Sequence, residues 1–105
     1  MLNFSEELKT KLQQQHHQMW NLEMNVSELF LLCKIVNKNL KCTWYLISQD
    51  PQDKKFLYGI VEEESLIIKS ISLDYLESIT VDGAKCELDP SFTPVKVREL
   101  FQTND

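Results

Sequence analysis

Glycine and proline are scarce, with two and three among 105 residues, so the loops are expected to be few and short. Basic residues are outnumbered as well. Eleven Lys and Arg stand against sixteen Asp and Glu, a formal net charge of −5. Phosphate binding calls for the opposite balance, so direct nucleic-acid binding is not expected. An acidic surface fits a basic protein partner or plain solubility. The three cysteines, Cys33, Cys42 and Cys86, are odd in number and widely spaced, and no Cys-x-x-Cys occurs. That pattern argues against a disulfide framework and for a reducing, cytoplasmic location. "MLNFSEELKTKL" has no apolar stretch of the signal-peptide kind. No apolar run approaches the ~20 residues of a membrane helix.

What is present is the composition of one globular domain, with 43% hydrophobic and 26% charged residues. A chain of this length buries about 60–70% of the surface its unfolded form exposes, enough for one modest core. Residues 4–15 read as a helix, because Phe4, Leu8 and Leu12 recur on one face. Ser5 can cap it, with Asn3 and Glu6 as an alternative capping-box spacing, and Glu6 and Glu7 suit its first turn. "QQQHHQ" (13–18) is expected to fray that helix or to link it to a sheet. Met19, Trp20, Leu22 and Met24 follow as scattered apolar anchors.

Four strands are expected, over 28–36, 42–49, 55–62 and 66–72. In the third, Phe56, Tyr58 and Ile60 alternate with Leu57, Gly59 and Val61, so both faces are apolar. Such a strand is central, covered by a helix on one side and by a tail segment or a partner on the other. "NKNL" and "EEE" read as turns. Ser72 caps a short helix carrying Leu73, Leu76 and Ile79. Asp-Gly at 82–83 marks a turn, and Pro94 can open a last helix that turns Val97, Leu100 and Phe101 inward.

The expected fold class is therefore α+β. It is a four-stranded antiparallel meander with an N-terminal helix and two short C-terminal helices covering the sheet on one face. The whole of 1–105 forms a single domain. Residues 1–27 supply the N-terminal helix and linker, 28–72 the sheet, and 73–105 a helical and extended tail.

The order of "SEELKTKL", "CKIV", "TWY", "DPQD", "FLYGIV", "SLDYLE" and "DPSFTP" resembles a family of small bacterial domains of unknown function. Members of that family are common in the accessory regions of plasmids and integrating elements. The likeness covers residues 5–12 and 33–100. The chain departs from the family pattern at Ser48 and Tyr75, where Glu is usual, and at Leu88, where a basic residue is usual. The resemblance implies a fold and a mobile-element context, with no known activity.

Candidate sites are few. Asp50 and Asp53 flank a proline turn and could share a cation with Asp89 in a small metal-dependent hydrolase, but a calcium site needs more oxygen ligands than this loop offers. The turn reading is stronger: Asp50 caps it, with Pro51 at its second position. His16 and His17 are adjacent, about 100° apart on a helix, and cannot share a metal in the i, i+4 manner. Cys33 and Cys42 could approach across a hairpin, although small buried residues are the simpler reading. Trp44, Tyr45, Phe56 and Tyr58 form an expected aromatic cluster across two strands. The cluster is read as core packing, as a protein-binding face, or as a single-stranded nucleic-acid platform. Glu62, Glu63 and Glu64 make an acidic rim beside it.

No nucleophile–base pair, phosphate loop, cofactor motif or metal quartet emerges. The expected function is that of a non-enzymatic, acidic protein-binding domain working through Trp44, Tyr45, Phe56, Tyr58, Glu62, Glu63 and Glu64. The family context suggests an accessory protein that modulates or inhibits a host or defence system, of the anti-CRISPR or anti-restriction type. The sequence leaves the partner and the oligomeric state open.

Overall fold

Ser5 opens the first helix, its hydroxyl accepting the Leu8 N–H at 3.1 Å, as the capping pattern predicts. The computed structural model describes residues 2–103, so Met1 and residues 104–105, at the ends of the expected domain, lie outside them. Helix α1 runs Glu6–Trp20 and does not fray at the Gln/His tract. Its buried line continues Leu12, Gln15, Met19 at helical spacing. The tract is a largely solvated helix face that carries one buried glutamine, Gln15, while half-buried Gln13 donates its amide to Gln49 Oε1 at 3.1 Å.

A single 3₁₀ turn, Val26–Glu28, leads into β1 (Phe30–Leu31) and β2 (Cys33–Val36). The long strands follow: β3 (Thr43–Gln49), β4 (Phe56–Glu62) and β5 (Leu66–Ser72). Helix α2 (Leu73–Ser78) is capped by the Ser72 hydroxyl, which accepts the Tyr75 N–H at 3.2 Å. A small hairpin, β6 (Thr80–Val81) and β7 (Ala84–Lys85), turns at Asp82 and Gly83, with φ of 50° and 81°. Consecutive positive φ values make this the tight hairpin turn that Asp-Gly favours. Strands β8 (Glu87–Leu88) and β9 (Val95–Lys96) and helix α3 (Val97–Thr103) complete the chain.

The α+β class, the N-terminal helix and the antiparallel sheet are as expected, but the main sheet has five strands rather than four. Its order is β5-β4-β3-β2-β8. The extra strand comes from the tail, where Leu88 and Glu87 pair with Ile35 and Val36. A two-residue strand pairing some fifty positions away carries no local signal. The expected strand over 28–36 is split. Cys33–Val36 stay in the main sheet, while Phe30–Leu31 leave it to pair with Lys96 and Val95 of β9. Pro94 accordingly precedes a short strand instead of opening the last helix.

The split has a physical cause. A bulge in β3 inserts Ile47 between the pairs Leu46↔Gly59 and Ser48↔Tyr58. Gln15 fills the resulting gap. Its amide nitrogen donates to the Ile47 carbonyl (2.7 Å) and the Phe30 carbonyl (2.8 Å). Its amide oxygen accepts the Phe30 N–H (2.8 Å). One side chain thus satisfies three backbone groups where the ladder opens. On the other side of the bulge, Gly59 meets β3 so closely that a Cβ there would overlap the Tyr45 carbonyl oxygen.

Both faces of the sheet are covered; α1 contributes to each, Leu12 to one and Met19 to the other, and the rest of each cover comes from different segments. Leu2, Phe4, Leu12 and Leu76 of α2 pack on Ile35, Trp44, Leu46, Leu57 and Ile71. On the opposite face Met19, Leu29, Leu31 and Val97 pack on Tyr45, Ile47 and Ile60, with Phe92, Val95, Leu100 and Phe101 around them. The tail supplies the second cover foreseen for β4. The C-terminal helices therefore do not share one face: α2 joins the first and α3 the second.

Replacing Gln15 by Leu leaves three backbone groups without partners. We expect a loss of about 3 kcal/mol and a Tm lowered by roughly 10 °C or more, read by thermal denaturation. Gly59→Ala should cost about 3 kcal/mol through overlap with backbone, which cannot move aside as a side chain can.

Candidate functional site

The four expected aromatics do not form one cluster. Trp44 and Tyr45 are consecutive strand residues and point to opposite faces. Both are core residues, 3% and 6% exposed, so neither is available to a partner. Tyr45 is held on every side. Its hydroxyl donates to Glu62 Oε1 (3.2 Å), its ring lies 5.9 Å from that of Phe92, and Lys34 Nζ sits 5.8 Å from its centroid. Burial and the neighbouring Glu62 carboxylate push its phenol up to about 12.

Phe56 and Tyr58 share the second face by alternation along β4. Phe56 is exposed and Tyr58 half-buried. Tyr58 meets the edge of Trp20, with centroids 6.3 Å apart and planes at 68°. Trp20 is itself 57% exposed and lies 6.3 Å from His16. Ile68, across the ladder from Ile60, extends this strip to the edge strand β5. A helix ending at residue 15 leaves Trp20 outside it, so the local pattern does not mark this residue. Carried through the polar tract, the Leu12–Gln15–Met19 line puts Trp20 one position, about 100°, off the buried face.

The acidic rim stands at the end of the same two strands. Glu62 closes β4 opposite Thr43, and Glu63 and Glu64 form the exposed turn into β5. They border a cleft of about 580 Å³ whose walls include Leu40, Lys41, Cys42, Leu66 and Phe101. The Cys42 thiol donates to Glu63 Oε1 at 3.6 Å. Burial first, and then the Glu63 charge, push that thiol up to about 11. Burial carries Cys33 to about 12 and raises Cys86 as well. None of the three is poised as a thiolate nucleophile. Cys33 pairs with Leu46, whereas Cys42 precedes Thr43 at the far end of the same ladder. Four strand residues separate the two levels, roughly 13 Å, too far for a disulfide.

The Asp-Pro-Gln-Asp segment is a turn. Asp50 Oδ1 accepts the Gln52 N–H (2.8 Å) and Asp53 Oδ1 the Lys55 N–H (3.2 Å). The hairpin closes through the Asp50 N–H and the Phe56 carbonyl, 3.0 Å apart. Asp89 does not converge on them. It follows β8 at the opposite edge of the sheet from β5 and caps its own turn, accepting from the Ser91 N–H and hydroxyl at 2.9 and 2.7 Å. Those bonds hold its carboxyl below the usual range. His17 Nδ1 lies 2.8 Å from the Asn21 amide nitrogen. Among the described residues, no group of three or more His, Cys, Asp and Glu is placed to hold a metal ion.

Two outcomes follow from the thiol environments. At neutral pH a disulfide reagent should modify Cys33, Cys42 and Cys86 only after denaturant is added. The thiols and the Tyr45 phenol are neutral when protonated, and folding raises their pKa. Their contribution is therefore complete below about pH 9 and declines as the pH rises toward 11–12. For deeply buried Cys33 the slope is up to about 1.4 kcal/mol per pH unit, visible as a falling Tm in alkaline buffers. The chain matches no protein-family model, no curated protein and no solved structure.

Proposed function

We propose that this protein is a non-enzymatic binding domain whose partner is another protein. The observation that carries this reading is the position of the exposed apolar groups. Trp20, Phe56 and Ile68 are exposed and Tyr58 half-buried on one face of β4 and β5, and the far end of these strands from Phe56 carries the acidic turn Glu62–Glu64. An apolar, aromatic strip with charge at its rim is the usual make-up of a protein interface. The side chains best suited to chemistry are committed elsewhere. The aspartates cap turns, and the thiols are buried with raised pKa values.

The partner that fits is a protein offering an apolar patch beside basic residues. The acidic turn steers such a surface and rejects acidic ones. The same turn would repel a nucleic-acid backbone, which supports a protein over a single strand as the ligand. Taken with the resemblance to accessory domains of mobile elements, the reading extends to a protein that modulates or inhibits a host or defence system, as anti-CRISPR and anti-restriction proteins do.

Affinity capture with mass spectrometry tests it. The wild-type protein should retain a stoichiometric partner. Trp20→Ala with Phe56→Ala should cut retention at least tenfold, and so should Glu63→Lys with Glu64→Lys, while circular dichroism shows each variant folded. Retention that is equal in all three, or absent from the wild type, would count against the proposal.

A further inference from the structure

We propose that β5 is a self-pairing edge, through which two copies of this chain join their sheets into one antiparallel sheet about a twofold axis at Ile67. All seven residues of β5, Leu66–Ser72, pair with β4 without a bulge, and among the described residues no strand lies beyond them. The opposite edge of the sheet is β8, only two residues long. Among the described residues β5 is thus the one long edge of the main sheet with its outer row of N–H and C=O groups open.

Edge strands are normally blunted by proline, bulges or repeated charge. Strand β5 has one lysine and neither of the other devices. Ile67 and Ile68 are exposed on opposite faces of it, Ile67 by 54%.

The pairing register follows from the side chains. In an antiparallel pair related by a twofold axis, directly opposed residues share a face. An axis at Ile67 sets Ile67 against Ile67 on one face and Leu66 against Ile68 on the other. Every exposed aliphatic group of β5 then meets another. The same register sets Lys69 opposite Ser65 of the second copy, next to that copy's Glu63 and Glu64. Lys69 has no ion pair among the described residues. An axis at Lys69 would instead oppose like charges, which is unfavourable. With the axis at Ile67 the two acidic turns are kept roughly 20 Å apart, beyond the reach of their repulsion at physiological salt. Both apolar and charge complementarity thus select a second copy over an unrelated strand. In this register only Leu66–Ile68 of each β5 pair with β5 of the other copy, and so short a ladder gives a weak, concentration-dependent dimer.

Sedimentation equilibrium over a wide concentration range, together with cysteine cross-linking, tests the pairing. The wild type should show a monomer–dimer equilibrium. Ile67→Lys should weaken it at least tenfold, and Lys69→Glu should weaken it too. Under mild oxidation Ile67→Cys should form a covalent dimer, since the two thiols face each other. Ser70→Cys, displaced by about six residues from its twin, roughly 20 Å, should not. A monomer at every concentration, a dimer unaffected by Ile67→Lys, or equal cross-linking at both positions overturns the inference. Ile68 and the acidic turn belong to both surfaces, but Trp20→Ala with Phe56→Ala reads partner capture alone and Ile67→Lys reads self-pairing alone, so the two proposals fail separately.

Discussion

The amide of Gln15 is the joint on which the architecture turns. A β-bulge frees a carbonyl, and a departing strand frees an N–H and a second carbonyl. Buried together without partners, those groups would cost several kcal/mol. A helix that delivers one primary amide to that spot satisfies all three, and in doing so it fixes its own position on the sheet. Everything beyond depends on it. Helix α1 lies across β3, β1 peels off toward β9, and the tail is thereby led over the second face, where Val97 donates its N–H to the Leu29 carbonyl at 2.9 Å. The paired contacts of Glu28 with Lys96 and Arg98, at 3.4 and 3.1 Å, lie on the surface of the same junction and add little by comparison.

Some of this is legible in the amino-acid sequence. The three long strands, the serine caps of both leading helices and the turn at Asp50–Asp53 all rest on local patterns: alternation, an Asx cap, a proline at the second turn position. Apolar residues on both sides of β4 correctly imply two covers. The parts that escape depend on pairings with no local trace. Gln15 looks like its glutamine neighbours, because the one that points inward is defined by the phase of a helix whose polar tract disguises its length. Strands β8 and β9 are two residues each and exist only because β2 and β1 offer them a partner.

The aromatic residues teach a sharper lesson. Trp44 and Tyr45 are neighbours in a strand, and parity alone puts them on opposite faces. A cluster that needs both is ruled out by strand geometry itself. Phe56 and Tyr58 do share a face, and their exposed neighbour comes from the helix end instead. The candidate surface thus lies one strand away from its expected place, toward the edge of the sheet rather than its middle. Ser48 belongs to the same account. Its hydroxyl is buried with no hydrogen-bond partner among the described residues. A Glu here would be placed inside the protein, not in a solvent-facing site.

Gly59 and the inserted Ile47 are two halves of one device. Gly59 stands opposite Leu46 beside the bulge, where a Cβ would overlap the Tyr45 carbonyl oxygen, so only a residue without a side chain fits there. Neither half is useful alone. A descendant that straightened β3 would be free to replace the glycine, while one that kept the bulge would be bound to retain it. The pair should therefore be inherited, and lost, as a unit. The spacing between the Trp-Tyr strand and that glycine then becomes a hallmark by which distant kin of this fold can be told from chance look-alikes.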